Sequence, residues 1–441
     1  MRRDLGNGLI LRRATSADTE ALVAFNADVL RHQDAQEPDA PTAAWTRDLL
    51  TGRHPRVGPD DFTVVEDTRA CVIVSSVGLI SQTWSYGGVR IDVGQPELIG
   101  TRAEHRGRGL VRAQLDVVHG WSAARGHLVQ AIDGIPWFYR QFGYEMALAL
   151  RAGRVVDAGY TRPSPGLHFR PATERDAPFL ARADEAVAAR SMMTCRRDET
   201  LWRYEVEGRS VGNQYRGDVR IIETSDGRPV GFVVLVPRLL GGTIWVIACE
   251  ILPGFVWHDV APAVLADVEA VGNRYAAGRV ARVGFWLGDT HPIYRGAHAP
   301  REEPPYAWYL RVADLPGFFA RIAPVLDKRL SGSPLDGYSG TVDVSFYRDG
   351  LRLTFDDGRL ATVAPWRPPR TLTGIERGER TTAERAAAMF PGLTFLQLVF
   401  GYRALDELEY AFADCLVRTD ETRELLQTLF PKHASNVWPV L

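Results

Sequence analysis

The chain has 441 residues and a formal net charge of −2 at pH 7, with 52 Lys plus Arg against 54 Asp plus Glu. A balance this close to neutrality gives no reason to expect a nucleic-acid or membrane-surface partner. The length suits about two to four domains, and the scattered cysteines (Cys71, Cys195, Cys249 and Cys415) predict neither a disulfide framework nor a bound metal.

The N-terminal residues contain no apolar stretch long enough for a signal peptide or a membrane span, so we expect a cytoplasmic setting. Residues 9–12 predict a first strand, and Thr15 and its neighbours are typical of a capped helix start. Residues 23–45 are predicted to be helical and polar, with an acidic group of Asp34, Glu37 and Asp39. Strands are predicted at 62–66, 71–80 and 88–93, with a hairpin turn at 87–88.

Residues 97–112 are the most informative stretch. A short apolar run, Leu98-Ile99, enters a turn with Gly107 and Gly109, and an amphipathic helix leaves the turn. The first amide groups of a helix have no intrahelical acceptor, and the helix dipole adds positive charge there, so a phosphate group is the natural ligand. Four arginines (Arg102, Arg106, Arg108 and Arg112) are predicted to add positive charge to this turn. The buried face of the helix is predicted to hold Leu110, Ala113, Val117, Trp121 and Ala124, with Gly126 as its stop.

Two common phosphate-binding motifs do not fit this turn. A dinucleotide fingerprint needs a third glycine where this chain has Arg112, and no Gly-Lys-Ser/Thr ending is present for a nucleoside triphosphate. An ordinary glycine-containing turn between a strand and a helix remains the simple alternative.

A second motif follows the helix. After a predicted strand at 128–132, Pro136 suits the start of a short helix and Gly143 suits its end. The helical spacing predicts Ile135, Phe138 and Phe142 on the buried face, with Tyr139 at its edge. Tyr139 could equally be one more core aromatic.

The opening pattern then returns. Beyond a predicted linker at 160–166, residues 167–177 echo residues 9–19 almost position by position, which indicates an internal repeat. Strands are predicted at 227–235 and 242–252, but the turn at 253–260 lacks the glycines and arginines of the first copy. We therefore expect the second copy to bind no phosphate ligand.

The last third of the chain has a different composition. A helix is predicted at 317–330, three strands within 338–363, and helices at 383–390, 394–400, 406–412 and 421–430. The final residues, 436–441, are apolar for a free end, so we expect them to be tucked into the protein.

The run Arg106-x-x-Gly109-x-Val111 resembles the acetyl-coenzyme A signature of the Gcn5-related N-acetyltransferases, with Val111 where the family has Gly or Ala. Phe138-Tyr139 and Gly143-Tyr144 resemble a second segment of that family, whose tyrosine protonates the departing thiolate. The resemblance implies acetyl-CoA as co-substrate and Tyr139 as the acid. The implied cofactor-binding residues are Leu98, Ile99, Gly100, Arg106, Gly107, Arg108, Gly109, Leu110 and Val111.

The order of elements resembles the enhanced intracellular survival family of bacterial acetyltransferases. It implies an α/β (α+β) fold with two tandem acetyltransferase-fold domains and a sterol-carrier-protein-like C-terminal domain. The expected boundaries are 1–155 for the catalytic domain, 165–315 for the degenerate second domain and 316–441 for the third. The family also implies a homo-oligomer, hexamer or dimer, and a catalytic role for the terminal carboxylate of Leu441.

We therefore expect an acetyl-CoA-dependent N-acetyltransferase that acts directly on a primary amine of an aminoglycoside, polyamine or lysine side chain. Glu37, Trp84 and Trp137 are the candidate substrate-binding residues, in a pocket for a cationic amine. Two alternatives stay open. One is a non-catalytic acyl-CoA sensor or scaffold, and the other is a lipid-binding protein that works through its C-terminal domain.

Overall fold

The computed structural model describes residues 1–159, 166–275, 279–367 and 386–441. They form a mixed α/β fold, as predicted, with three β-sheets flanked by helices. Residues 160–165 of the predicted linker lie outside the described residues. None of the helices in the described ranges is long and apolar enough to cross a membrane.

The first part of the chain extends to Asp157. Its strands are Arg2–Gly6 (β1), Leu9–Arg13 (β2), Phe62–Asp67 (β3), Val72–Tyr86 (β4), Val89–Thr101 (β5), Val129–Ile132 (β6), Glu145–Leu150 (β7) and Gly153–Asp157 (β8). Its helices are Thr19–Val29 (α1), Ala40–Leu50 (α2) and Leu110–Ala124 (α3).

The middle part begins at Leu167. Its strands are Leu167–Pro171 (β9), Met193–Cys195 (β10), Asp218–Thr224 (β11), Pro229–Leu235 (β12), Thr243–Ile251 (β13), Arg282–Phe285 (β14), Arg301–Glu303 (β15) and Tyr306–Arg311 (β16). Its helices are Ala177–Arg190 (α4), Glu199–Arg203 (α5) and Trp257–Tyr275 (α6).

The last part begins with the helix Leu315–Ser331 (α7). Its strands are Gly340–Ser345 (β17), Gly350–Asp356 (β18), Arg359–Trp366 (β19), Ala388–Met389 (β20) and Leu416–Val417 (β21). Its other helices are Phe395–Val399 (α8), Leu405–Ala411 (α9) and Asp420–Leu429 (α10). The helix predicted at 383–390 is wrong over its described residues, 386–390, because β20 pairs there with β17. Residues 383–385 lie outside the described ranges.

Three features of the first part differ from the prediction. Strand β1 was not predicted. The strands expected at 88–93 and around Glu97 are one continuous strand, β5. Residues 23–45 do not form one helical region, because α1 ends at Val29 and α2 begins at Ala40. The connection between these helices carries Asp34 and Glu37 on the surface.

The first two sheets exchange strands. The first has the order β1-β2-β3-β4-β5-β6-β16-β7, with β10 paired to β4, and the second has the order β15-β8-β14-β13-β12-β11-β9. Strand β16, late in the chain, thus lies between β6 and β7 of the first sheet, while β8 belongs to the second. The predicted boundary near residue 155 therefore cuts through β8, and residues 306–311 belong to the first sheet rather than to the second domain. Strand pairing over such distances leaves no local pattern in the sequence.

The two segments of the predicted repeat share one local contact. Arg12 forms a two-bonded pair with Asp18 at 2.7 and 2.8 Å, just before α1. Arg170 forms the same pair with Asp176, again at 2.7 and 2.8 Å, just before α4. Both pairs link the end of an opening strand to the helix that follows it, so each copy begins with the same ionic clamp.

Helix α3 buries Leu110 and half-buries Ala113, Val117 and Trp121 of the predicted face, but its most deeply buried face is shifted from the predicted one. Its buried residues are Leu110, Gln114, Leu115, Val118 and Ser122, whereas Ala124 is exposed. Gln114 accepts a hydrogen bond from Ser75 at 2.6 Å and donates one to the backbone of Thr63 at 3.2 Å. A buried polar group needs such partners. Hydrophobic periodicity alone could not identify this polar contact with the sheet. Gly126, with φ of 74°, follows the helix as predicted.

Candidate active site

Strand β5 contains a bulge at Leu98 and Ile99. Both residues stand opposite a single residue of β4, because the register of the ladder shifts there. Leu98 has φ of 51°, in the left-handed region that non-glycine residues rarely adopt. A bulge leaves one residue outside the regular ladder, and such irregularities are common beside active sites. The segment Leu98–Gly100 can therefore offer backbone amide groups to a ligand once the Leu98 amide is released from the side chain of Glu97, to which it donates at 3.3 Å.

The sheet opens beside this bulge. Strands β5 and β6 are parallel and pair at only two positions, Val93 with Val129 and Gly94 with Gln130. Beyond Gly94 no further pairing joins these two described strands. The opening gives a ligand access to the middle of the sheet, where Ile99 and Gly100 line a groove.

The glycine turn leads into α3 as predicted. Gly107 and Gly109 have φ of 74° and 75°. A Cβ at either position would meet no neighbouring atom within 4 Å. The backbone conformation, rather than crowding, thus requires glycine here. Because α3 begins at Leu110, its first amide groups face the same open side and form an anion cradle.

Three of the four arginines predicted to charge the turn lie at it. Arg106 and Arg112 line the groove. Arg106 donates to a backbone carbonyl of β5 at 3.2 Å, and Arg112 donates at 2.7 Å to a side chain beyond β6. Arg108 is exposed at the turn. Arg102 does not contribute, because its guanidinium points to α1 and pairs with Asp28 at 3.4 Å.

A groove of about 620 Å³ connects the bulge, the turn and the short tyrosine segment. It is lined by residues 99–101, 105–107, 109–112 and parts of 135–142, together with Val29 and Leu30 from the end of α1. Its anion cradle and the free strand edge beside it fit a phosphorylated carrier. The co-substrate that the sequence implies, acetyl-CoA, is such a carrier.

Tyr139 lies on the wall of this groove, in a 3₁₀ turn at Phe138–Phe142. Its side chain is 6% exposed and packs against Tyr309, with ring centroids 5.7 Å apart. The predicted burial differs at two positions, because Ile135 is 63% exposed and Tyr139 is buried, whereas Phe138 and Phe142 are half-buried against the same cluster. Burial raises the pKa of Tyr139 above its ordinary value, and the negative charge of Glu97 raises this pKa further. The hydroxyl therefore stays protonated at neutral pH.

Glu97 comes directly before the bulge and is held by a chain of side-chain hydrogen bonds. Trp84 donates to Gln82 at 2.9 Å, Gln82 donates to Gln95 at 2.5 Å, and Gln95 donates to Glu97 at 2.7 Å. Burial raises the pKa of Glu97 to about 8, Gln95 opposes this shift, and the charge of Asp133 adds to it. A carboxyl group with such a pKa can take up a proton near neutral pH.

Leu441 reaches the same region from the other side. It is 4% exposed, and it belongs to the hydrophobic cluster that contains Leu98. Its backbone oxygen accepts hydrogen bonds from Arg209 and, at 3.5 Å, from Tyr204. Arg209 also pairs with Glu205 at 2.8 Å, and both of these side chains are fully buried. The apolar tail is thus tucked into the protein, as predicted.

A second cavity, of about 220 Å³, lies beside Leu441. The end of β7, the segment 214–216, the hairpin around 236–240, Trp286 and the C-terminal tail enclose it. We call it the acceptor pocket. Asp133 lines it, and the next residue, Gly134, lies directly against the ring of Tyr139 on the groove wall. The pocket therefore adjoins the groove at Tyr139, which we call the inner end of the groove.

The three residues predicted to bind substrate do not line this pocket. Glu37 is exposed in the connection between α1 and α2. Trp137 is 74% exposed and lies under the guanidinium of Arg140. Trp84 is 0% exposed, so it cannot contact a substrate, and its indole instead anchors the hydrogen-bond chain to Glu97.

Sequence reasoning missed several residues of the site. Gln95 fixes Glu97, and Arg209 fixes the chain terminus. Arg216, Arg238 and Trp286 line the acceptor pocket. Each of these comes from a segment with no recognisable motif, and only the exchange of strands and the docking of the tail bring them together. Gln95 alone had a signal, because it is two residues from Glu97 on one strand and faces the same side.

Comparison with known proteins supports acyl transfer. Residues 11–147 match the family model of an acetyltransferase (GNAT) domain. This match contains the bulge, the glycine turn and Tyr139. A search of curated protein sequences returned no match.

Solved structures show the same fold over nearly the whole chain. A GCN5-related N-acetyltransferase from Kribbella flavida superimposes with a TM-score of 0.66 at 17% identity, over 98% of this chain and 99% of that one. A probable N-acyltransferase from Enterococcus faecalis gives 0.64 at 15% identity over the same shares. Eis1 from Mycobacterium abscessus gives 0.59 at 13% identity, again over 98% and 99%. At these identities the likeness establishes the fold.

Proposed function

We propose that this protein is an acetyl-CoA-dependent N-acetyltransferase that acetylates a primary amine by direct transfer in a ternary complex. One observation carries the proposal. The bulge at Leu98, the glycine turn and Tyr139 line or adjoin a single groove, and the acceptor pocket adjoins its inner end. An acyl carrier and an amine can therefore be held at the same time.

The groove residues would hold acetyl-CoA in two places. Amide groups from Arg106 to Val111 would bind its diphosphate, assisted by the charge of Arg106 and Arg112. Amides of Leu98–Gly100 would donate to the carbonyl oxygen, where negative charge develops as the amine attacks. The bound thioester supplies an activated acetyl group. Holding both reactants in one geometry contributes up to about 7–11 kcal/mol in favourable cases.

We assign the proton acceptor to Glu97. Its raised pKa, about 8, suits a group that takes a proton from an amine near neutral pH. The terminal carboxylate of Leu441 is held by the guanidinium of Arg209, which stabilises its charged form and makes it a weak proton acceptor. Leu441 would therefore orient the amine electrostatically instead of removing its proton.

We assign proton donation towards the departing sulfur to Tyr139. Its pKa is raised by burial, so the hydroxyl is protonated throughout the working range. The same burial would raise the pKa of the coenzyme A thiol in the groove. The pKa values of the tyrosine hydroxyl and of the departing thiol would therefore lie closer together. Positioned acid–base groups of this kind contribute typically about 10²–10⁴-fold to the rate.

Release of free thiol from acetyl-CoA in the presence of a panel of amines tests this function. An acetyltransferase releases thiol only when an acceptor amine is added, and it forms the N-acetyl product in equal amount. A non-catalytic acyl-CoA sensor would bind the carrier and release nothing. A lipid-binding protein of the sterol-carrier type would carry lipid in native mass spectrometry and would not bind acetyl-CoA.

A further inference from the structure

The acceptor pocket contains more positive charge than the predicted cationic substrate would favour. Arg151, Arg216 and Arg238 line it, and Asp133 is the acidic side chain among the lining residues. Asp133 already pairs with Arg151 at 3.4 Å. Within the described part of the chain, neither Arg216 nor Arg238 forms an ion pair. Two guanidinium groups are thus available to an incoming ligand.

The negative and positive charges lie at different depths. The terminal carboxylate of Leu441 is at the buried inner end, with the residue 4% exposed. Arg238 is exposed at the rim, next to Leu240, which is 39% exposed. Arg216 is half-buried and donates to the backbone carbonyl of Arg209, close to the inner end. The pocket therefore offers a carboxylate inside and guanidinium groups further out.

Aromatic rings form much of the wall between these ends, and each ring is held in place. Trp286 stacks on Trp245 with centroids 4.3 Å apart. Trp438 lies 3.8 Å under the guanidinium of Arg197. Tyr215 also lines the pocket, with its edge packed against the core. Rigid aromatic walls favour a flat or apolar ligand body, because little side-chain entropy is lost on binding.

From this arrangement we propose that the acceptor substrate is an amine that carries a carboxylate at the far end of an apolar or aromatic body. The amine would lie inward, towards Leu441 and Glu97, and the carboxylate outward, on Arg238 and Arg216. This inference rests on the proposed N-acetyltransferase function and names its substrate class. It replaces the cationic amine expected from Glu37 and its neighbours.

Three amines of one shape test the proposal: benzylamine, 4-(aminomethyl)benzoate and 1,4-bis(aminomethyl)benzene. They differ only in the group opposite the reacting amine, which is neutral, anionic or cationic. We expect kcat/KM for the benzoate to exceed that for benzylamine by about 10-fold, the value of one charge-assisted hydrogen bond of roughly 1.4 kcal/mol. The diamine should be the poorest substrate of the three.

A charge reversal at the rim tests whether Arg238 causes the preference for the benzoate. Arg238→Glu should remove the preference for the benzoate, measured as the ratio of its kcat/KM to that of benzylamine, which should fall from about 10 to about 1. Arg238 is exposed, so the substitution leaves the core intact. Arg348→Glu makes the same change of charge in the exposed turn between β17 and β18, outside the lining of the acceptor pocket, and should alter none of the three rates.

The outcomes separate this inference from the function on which it rests. If benzylamine or the diamine is acetylated as well as the benzoate, the substrate class is wrong while amine acetylation stands. If no amine releases thiol, the proposed function fails, and calorimetry with 4-(aminomethyl)benzoate then decides the inference alone. Heat of binding that disappears in Arg238→Glu supports it, and no heat with the wild-type protein overturns it.

Discussion

Arg209, which is fully buried, donates a hydrogen bond to the backbone oxygen of Leu441 while it pairs with Glu205 at 2.8 Å. Leu441 is thereby fixed beside the bulge of β5. In the proposed mechanism this oxygen belongs to a carboxylate, which contributes a fixed negative charge. Its removal should affect how the amine is held more than how the amine loses its proton.

Replacement of the terminal carboxylate by an amide tests this role. A synthetic peptide of residues 415–441 can be ligated at Cys415 with either ending, so the native acid is a matched control. We expect the amide to raise KM for the amine about 10-fold, the loss of one charged contact, with the pH profile of kcat unchanged. A flattened pH profile would instead make the terminal carboxylate the proton acceptor.

Glu97→Gln tests the proton acceptor. With an aryl amine, which is uncharged over the whole range, the wild-type rate should rise tenfold per pH unit and level off above about pH 8, where Glu97 is ionised. The glutamine variant should be slower by about 10²-fold and independent of pH. An unaltered profile in the variant would assign the inflection to another group.

The same pKa has a consequence for stability. Glu97 has an ordinary value of 4.5 and a raised value of about 8 in the folded protein. Its stabilising contribution is therefore complete below pH 4.5 and is lost as the pH rises through about 8. Glu97→Gln should remove this part of the pH dependence of unfolding, as followed by denaturant titration at several pH values.

Substitutions at two neighbours of Glu97 should shift the inflection of the pH–rate profile in opposite directions. The hydrogen bond from Gln95 lowers the pKa of Glu97, so Gln95→Leu should move the inflection to higher pH. The charge of Asp133 raises this pKa, so Asp133→Asn should move the inflection to lower pH. Shifts of the same sign in both variants would contradict the assignment, since a general loss of activity cannot produce opposite shifts.

Tyr139→Phe tests the proton donor. We expect kcat to fall by about 10²–10⁴-fold with the affinity for acetyl-CoA near normal, because only the hydroxyl is lost. Tyr309→Phe is the matched control. Tyr309 packs against Tyr139, and its buried hydroxyl has no hydrogen-bond partner among the described residues, so its removal should leave the rate unchanged. Equal rates for Tyr139→Phe and the wild type would exclude Tyr139 as the donor.

Local features of the site were predictable from the sequence. Gly107 and Gly109 require left-handed backbone that few other residues adopt, so the turn is visible in the residue types themselves. The paired clamps at Arg12 and Arg170 repeat because the contacts span only six residues along the chain. Such short-range contacts leave a pattern that can be recognised without a structure.

Long-range features were not predictable. Tyr306–Arg311 pairs with β6 and β7, strands that end more than 150 residues earlier, and this pairing leaves no signature in its composition. Trp84 resembled a pocket residue, but the docking of β10 and the third sheet buries it. Arg216 and Arg238 come from unrelated segments, so the charge of the acceptor pocket depended on the fold.

The central claim is that backbone amide groups at the start of α3 bind the diphosphate of acetyl-CoA. Calorimetric titration of acetyl-CoA into the wild-type protein, Gly109→Glu and Gly120→Ala measures this directly. Gly120 lies in the same helix, with no neighbour within 4 Å of a Cβ and no positive φ, so its alanine variant is a folded control. We predict one binding event per chain for the wild type and Gly120→Ala and none for Gly109→Glu, which has a strained turn and a carboxylate in the cradle. No heat with the wild-type protein, or undiminished affinity in Gly109→Glu, would contradict the account.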